Sequence, residues 1–261
     1  VIIPAYNEER SVAQVIRRVL REPSVQQVVV VDDCSTDGTL AAARRSTSDP
    51  RVSVKHHETN LGKGAAIRTG LESITTPLVL IQDADLEYDP ADYAKLISPI
   101  LRGRADVVYG IRGFAGQSAY SYWFVVGNRL VTTATNILFN CYIQDMETGF
   151  KVMRTSLMKR LGLRGNRFDV EPEITGRILR LGYRIYEIPI EYAARTRAEG
   201  KKLTWLDGVK AIFVLLRIRL TTAQDLFGTR DPYHDQRLTE LSVNPGLRPD
   251  GVEESRETLQ S

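Results

Sequence analysis

The sequence predicts an α/β domain with a mostly parallel central sheet flanked by helices. Two observations carry that prediction. Short apolar runs alternate with helical stretches through the first 110 residues, the rhythm of βαβ units with helices on both faces of a sheet. Several runs also stop at Asp-bearing turns. Open α/β sheets bind their ligands at the carboxyl ends of strands.

The elements follow in order. Residues 1–3 form the first strand, and the sequence reads as starting inside it. A helix is expected over 11–21. A second strand over 27–31 precedes a helix over 36–45, and a third over 51–55 precedes a helix over 63–73. The apolar run at 77–81 reads as a buried strand before a helix over 90–102, and 106–110 is the fifth strand. Beyond it the pattern changes. Residues 118–142 read as a long aromatic-rich helix, 151–153 as a strand, 170–181 as a helix, 184–190 as a strand and 203–220 as a helix. A basic loop lies at 195–202. Residues 1–227 are taken as one domain. The polar tail, 228–261, has three prolines and few large apolar residues and reads as disordered.

Composition narrows the function. At 43% hydrophobic and 26% charged, the 261 residues make an ordinary globular chain long enough for a full core. The net charge is +3, yet the tail holds four Arg against seven Asp plus Glu, so the body is more basic than the whole. A basic body suits an anionic ligand, an acidic membrane surface or nucleic acid. No RNA- or DNA-binding motif is present, so no nucleic-acid partner is expected. Cys34 and Cys141 form no CxxC or Cys/His cluster and read as free thiols. No apolar run reaches the length of a membrane-spanning helix. No GxGxxG follows the first strand, which argues against a dinucleotide fold.

Four segments carry candidate chemistry. In Gln82-Asp83-Ala84-Asp85 the two carboxylates, on an extended backbone, project together from a strand end. Hard oxygen ligands suit Mg²⁺ or Mn²⁺, ions that clamp phosphates. Asp is also common in turns. Pro4-Ala5-Tyr6-Asn7-Glu8 crosses from strand to helix, where free backbone N–H groups suit a nucleotide; helix capping by Asn7 is the alternative. Val31-Asp32-Asp33 ends the second strand with carboxylates able to accept from a base or ribose, and Asp37 suits a cap. Asn60-Leu61-Gly62-Lys63-Gly64 sets a Lys between glycines that let a ligand approach, or forms a turn with a solvated Lys.

Taken in order, these four segments resemble the GT-A fold of family 2 glycosyltransferases. Asp145-Met-Glu-Thr-Gly-Phe-Lys151, Phe168-Asp-Val-Glu171 and Arg195-Thr-Arg-Ala-Glu-Gly-Lys-Lys202 are similar to the branch of dolichol-phosphate mannose synthases and polyprenyl-phosphate glycosyltransferases. The resemblance covers about residues 1–220. Cys34 departs from it, standing where the family has Gly.

The resemblance implies a nucleotide-sugar half at about 1–112 and an acceptor and membrane-interface half at about 113–227. Pro4, Ala5, Tyr6, Glu8, Asp33, Lys63 and Asp83 would hold the nucleotide sugar, GDP-mannose or UDP-glucose. Asp83 and Asp85 would hold Mg²⁺ or Mn²⁺, with Glu87 as a further ligand on the same face of an extended chain. Arg195, Arg197, Lys201 and Lys202 would close over the diphosphate. The expected reaction is inverting, metal-dependent attack by a polyprenyl phosphate (dolichyl or undecaprenyl) on the anomeric carbon of a hexose. Arg112 and Arg129 would bind the acceptor phosphate, with Asp85, Asp145 and Glu147 as acidic groups near the chemistry.

A sugar-hydroxyl or protein acceptor is the rival; it needs a base, for which Asp145 is the candidate. A nucleotide-sugar-binding or nucleic-acid-binding module without activity is the second rival. Trp205, Leu206, Val209, Ile212, Phe213 and Leu216 recur at helical spacing among Lys210, Arg217 and Arg219, and Tyr120, Tyr122, Trp123 and Phe124 form a second aromatic segment. Both suit amphipathic helices lying in a membrane interface or packing on the core. The expected location is peripheral, on the cytoplasmic face, held directly or by a membrane-anchoring partner protein.

Overall fold

The computed structural model describes residues 1–113, 122–167, 169–193 and 205–228, without the side chains of 123, 124 and 205–207. Strand β1 (Ile2–Ala5) leads to helix α1 (Val12–Arg21), β2 (Val28–Asp32) to α2 (Thr39–Arg45), and β3 (Val52–His56) to α3 (Lys63–Ser73). The short β4 (Leu78–Leu80) is followed by a 3-10 turn at Pro90–Asp92, α4 (Tyr93–Leu101) and β5 (Val107–Arg112). Then come α5 (Tyr122–Phe139), β6 (Lys151–Arg154), α6 (Thr155–Arg160), α7 (Val170–Arg180), β7 (Ile185–Ile190), α8 (Trp205–Leu220) and α9 (Ala223–Phe227).

The strands pair in the orders β1-β2-β3 and β4-β6-β5-β7, and a parallel bridge from Ile2 to Ile81 joins the two sets. Pairing is parallel except along β6, which runs antiparallel to both β4 and β5. The reversal has a simple cause. The chain reaches β6 from α5 through a loop at the opposite end of the sheet, not through a crossover helix.

Side-chain alternation sorts the core onto two faces. Ile2, Val29, Val31, Val79, Val107, Tyr109 and Met153 face α3, α6 and α7. Ile3, Val28, Val30, Leu80, Val108 and Val152 face α1 and α4. A smaller core joins α5 to α8 through Val131, Met146, Ala211 and Leu215.

The expected strands and long helices all appear. Helix α2 starts three residues later than expected, because Asp32 to Gly38 is a hydrogen-bonded loop. The helix expected from Pro90 opens as a 3-10 turn capped by the Asp89 carboxylate, which accepts from Ala91 N at 3.0 Å. Helices α6 and α9 were not expected; each is too short to display two turns of periodicity.

Candidate active site

The loops after β1 and β2 hold each other. The N–H groups of Asn7, Glu8 and Glu9 donate to Ser35 Oγ, Thr39 Oγ1 and Asp37 Oδ2 at 3.0, 2.7 and 3.3 Å. Asn7 takes the left-handed backbone (φ 55°), and its side chain accepts from Thr36 N at 2.9 Å. Two expectations are corrected. Asn7 does not cap α1, whose N-cap is Ser11, and these N–H groups are engaged within the protein. Pro4 and Ala5 are buried in the strand, and Tyr6 is half-buried beyond it. Hydrogen bonds from Thr39 outweigh partial burial and hold the Asp37 carboxyl below its ordinary value.

Asp32 and Asp33 are each clamped by a histidine. His56 Nδ1 lies 2.8 Å from Asp32 Oδ2, and His57 Nδ1 lies 2.7 Å from Asp33 Oδ1. Asp33 also accepts from Leu61 N at 2.9 Å and Gly62 N at 2.6 Å. The Asp33 carboxylate therefore shapes the Leu61-Gly62 turn. Cys34 between them has φ 59°, which accounts for glycine at this position in the family it resembles.

The Gly62-Lys63-Gly64 turn is also corrected. Gly62 has φ +95°, and a Cβ there would lie 2.3 Å from Asn166 O. Asn166 O accepts from Gly64 N at 2.8 Å and Ala65 N at 3.2 Å. The glycines admit another loop of the same chain, so the first N–H groups of α3 are not open to an anion. Lys63 Nζ bridges Asp83 Oδ1 at 2.7 Å and Glu171 Oε1 at 2.9 Å. Burial disfavours its charge, but Asp83 and Glu171 win and hold its pKa well above the ordinary value.

Asp83, Asp85 and Glu87 do not share an extended face. The chain turns at Ala84–Asp85, and Leu86 is left-handed with φ 65°, so the two-residue period fails. Asp85 Oδ1 accepts from Glu87 N at 3.1 Å, and Glu87 Oε2 accepts from the Tyr192 hydroxyl at 2.6 Å. Asp83 lies against Gly149, where a Cβ would come 2.5 Å from Asp83 Oδ2. Among the described residues no three His, Cys, Asp or Glu side chains gather into a metal cage. Mg²⁺-type ions use one or two carboxylates plus phosphate and water, so the half-exposed Asp83 and Asp85 fit one.

On the other side, Arg112 and Asp145 are buried and bidentate, Nε to Oδ2 at 2.7 Å and Nη2 to Oδ1 at 2.8 Å. Asn128 Nδ2 adds a bond to Asp145 Oδ1 at 3.2 Å, and the Arg112 guanidinium stands 5.3 Å from the Tyr192 ring centre. Burial opposes the Arg112 charge, but Tyr88 and Asp145 hold its pKa well above the ordinary value. Both Asp145 oxygens are thus engaged by Arg112, one of them by Asn128 as well. Arg129 is exposed on α5, one step around the helix from buried Asn128, and is not brought to this cluster.

Three groups that were given no role in the sequence reading, or a minor one, come into the site. Lys151 Nζ, fully buried, donates to Glu171 and to Thr148 O and lies 4.9 Å from the Tyr109 ring centre. Glu171 is held below its ordinary pKa: burial raises it, but Lys151 and Lys63 prevail. Glu147 is half-buried and makes no hydrogen bond or ion pair among the described residues. Burial and the Glu171 charge push its carboxyl up to about 7, against Lys151 and Arg112. All three lie in segments quoted for the family resemblance. Arg195, Arg197, Lys201 and Lys202 lie outside the described residues.

The profile of glycosyl transferase family 2 matches residues 1–162. The chain belongs to glycosyl transferase family 2. This family 2 enzyme is 31% identical to an undecaprenyl-phosphate mannosyltransferase of Micrococcus luteus, over 77% of this chain and 85% of that protein. It is 28% identical to a polyprenol monophosphomannose synthase of Mycolicibacterium smegmatis, over 77% and 79%. Its fold is that of a glucosyl-3-phosphoglycerate synthase of Mycobacterium tuberculosis, solved with Mn²⁺, UDP-glucose and phosphoglyceric acid. The TM-score is 0.63, at 22% identity, over 85% of this chain and 80% of that one. The family 2 enzyme therefore has the GT-A fold that its sequence predicts.

Proposed function

We propose that this glycosyltransferase moves a hexose from a nucleotide sugar, GDP-mannose or UDP-glucose, to a polyprenyl phosphate of the dolichyl or undecaprenyl kind. The observation that carries the reading is its likeness to two enzymes named for polyprenyl-phosphate mannosyl transfer. The site chemistry is compatible: the carboxylates of Asp83 and Asp85 stand beyond the end of β4, and the buried Arg112 cation lies in the adjoining cluster.

Asp83 and Asp85 would hold Mg²⁺ or Mn²⁺ on the donor diphosphate, and Glu87 would steady the turn through Tyr192. A bound divalent cation supplies Lewis-acid neutralisation of the leaving diphosphate. Lys63 fixes one Asp83 oxygen, Glu171, itself held by Lys151, fixes Lys63, and Asp33 and His57 fix the loop that carries Lys63. Pro4, Ala5, Tyr6 and Glu8 frame the nucleotide side. Arg112, bidentate to Asp145, would shape the acceptor side through that ion pair. Arg129, Arg195, Arg197, Lys201 and Lys202 would add further cations for the phosphates.

The acceptor is a lipid, and one face of the protein suits a membrane. Val209, Phe213 and Leu220 of α8 and Leu130 and Ile137 of α5 are exposed, with Arg217 and Arg219 among them. Apolar side chains interspersed with cations fit an anionic lipid interface. No helix among the described residues is long and apolar enough to cross a membrane. Peripheral attachment at the cytoplasmic face follows as part of the proposal. The catalytic unit is 1–227, with 228–261 dispensable.

The test is transfer of labelled sugar from each donor to dolichyl or undecaprenyl phosphate, with Mg²⁺, Mn²⁺ or EDTA. Labelled lipid that disappears with EDTA is the expected result. Metal-dependent donor binding with product only on a sugar hydroxyl would overturn the acceptor.

A further inference from the structure

The segment from Asp145 to Gly149 is anchored at every residue but one. Asp145 is locked to Arg112 and Asn128. Met146 N donates to Thr132 Oγ1 at 3.2 Å. The Thr148 hydroxyl donates to Gly110 O, and Thr148 O accepts from Lys151 Nζ. Gly149 N donates to the Tyr88 hydroxyl at 2.7 Å, and Gly149 lies against the Asp83 carboxylate. The side chain between these anchors is Glu147, half-buried and without a hydrogen-bond partner among the described residues.

This position has a direction. At one end of the segment is Asp145, paired with Arg112 on the acceptor side. At the other is Gly149, in contact with Asp83 on the donor side. A sugar whose diphosphate is held at Asp83 and whose attacker is held near Arg112 brings its reacting bond between those ends. A partly desolvated carboxylate without a protein donor is open to a donor supplied by a ligand.

We propose that Glu147, and not Asp145, is the proton acceptor of the transfer step. The assignment rests on the glycosyl-transfer reading and holds for an acceptor oxygen that still carries a proton, whether of a phosphate monoanion or a hydroxyl. The acceptor O–H gives its proton to the Glu147 carboxylate, and that oxygen forms the bond to the anomeric carbon. The bond from that carbon to the diphosphate oxygen breaks, and the nucleoside diphosphate leaves with the electron pair. Nothing is oxidised or reduced. The charged groups around Glu147 are Asp145 beside it, Lys151 of β6, Glu171 of α7 and Arg112 of β5. Their balance with burial poises the carboxyl near 7, where a base works best at neutral pH.

The experiment compares wild type with Glu147→Gln in the full chain. It measures transfer rate against pH with polyprenyl phosphate, with a sugar hydroxyl and with water as acceptors, and donor affinity by calorimetry. In wild type the rate should rise with pH through about 7. In Glu147→Gln it should fall by about 10²–10⁴-fold and lose that limb, with donor affinity unchanged. A variant within threefold of wild type with the same limb overturns the proposal. So does a loss that resides wholly in donor affinity. Glu147→Asp, which keeps the carboxylate, should recover part of the rate; failure of Asp to exceed Gln also counts against it. Activity on a hydroxyl or water alone would sink the polyprenyl acceptor while leaving Glu147 to be judged on that reaction. A wild type inert toward all three would overturn both.

Discussion

Arg112 and Asp145 form a buried two-point ion pair, with Nε and Nη2 at 2.7 and 2.8 Å from the two carboxylate oxygens. Neither end is released to solvent, and the Arg112 backbone N–H adds a third bond at 3.2 Å. Removing one partner of such a pair leaves an uncompensated charge in the interior. That costs about 3–5 kcal/mol. Asp145→Ala should therefore lower stability by about that much in urea titration, and activity should fall through misplacement of Arg112. Arg112→Met with Asp145→Leu should restore much of the stability but not activity. A single variant as stable as wild type would show that the pair is not the strut described.

Cys34 carries a local strain that its own substitution can report. Its φ is 59°, left-handed for a residue with a Cβ. Such a conformation costs roughly 1–2 kcal/mol per residue, offset in part by the lower entropy of the unfolded Cys chain relative to Gly. Cys34→Gly should leave the fold unchanged and be neutral to stabilising by up to about 1 kcal/mol in thermal melts. A clear loss of stability would mean that the Sγ contact to Glu58 O outweighs the backbone term.

The sheet was legible because its strands are apolar runs punctuated by turns, and several of the ordered motifs fall at strand ends. What stayed hidden is non-local. Nothing near Gly62 reveals that Asn166, about a hundred residues later, fills the space beside it. Nothing near Asp145 reveals that its partner is on β5. A left-handed Leu86 breaks the alternation that Asp83-Ala84-Asp85-Leu86-Glu87 suggests. The apolar residues of α8 divide between two sides: Ala211, Leu215 and Ile218 face the core, Ile212 and Leu216 are half-buried, and Val209 and Phe213 face out. A helix apolar on most sides does not declare its buried face.

Asp85 and Glu87 should separate in a metal-binding experiment. Asp85→Ala should abolish Mn²⁺-dependent donor binding in calorimetry. Glu87 already engages Tyr192 at 2.6 Å, so Glu87→Gln, which keeps an acceptor for that hydroxyl, should change Mn²⁺ affinity by less than about 10-fold (1.4 kcal/mol). The reverse order would make Glu87 the ligand and Asp85 the strut.

The α5–α8 face can be tested without turnover. Phe213 is 68% and Leu220 81% exposed, so replacing either with Asp removes apolar surface without opening the core. Phe213→Asp with Leu220→Asp should weaken co-sedimentation with anionic vesicles by at least 10-fold, about 1.4 kcal/mol, with an unchanged melting temperature. Vesicle binding equal to wild type would move the membrane contact elsewhere.

Glu147 makes a prediction about stability that runs opposite to the one about rate. Its carboxyl ionises at about 7 in the folded protein, against 4.5 as the ordinary value. Between those values the folded state binds the proton that the unfolded chain has released. Stability from this group is therefore fully present below about 4.5 and is lost as pH rises through about 7. At about 1.4 kcal/mol per unit, the shift from 4.5 to about 7 makes the loss on the order of 3–4 kcal/mol at pH 8. Glu147→Gln carries no such charge. It should melt like wild type near pH 4 and be more stable than wild type at pH 8, by an amount of that order. Urea titrations at the two pH values make the comparison. An equal difference at both would mean that Glu147 does not ionise late. A gain in stability at pH 8 that accompanies a loss of turnover is the trade expected where a site keeps a strained, poised group for its chemistry.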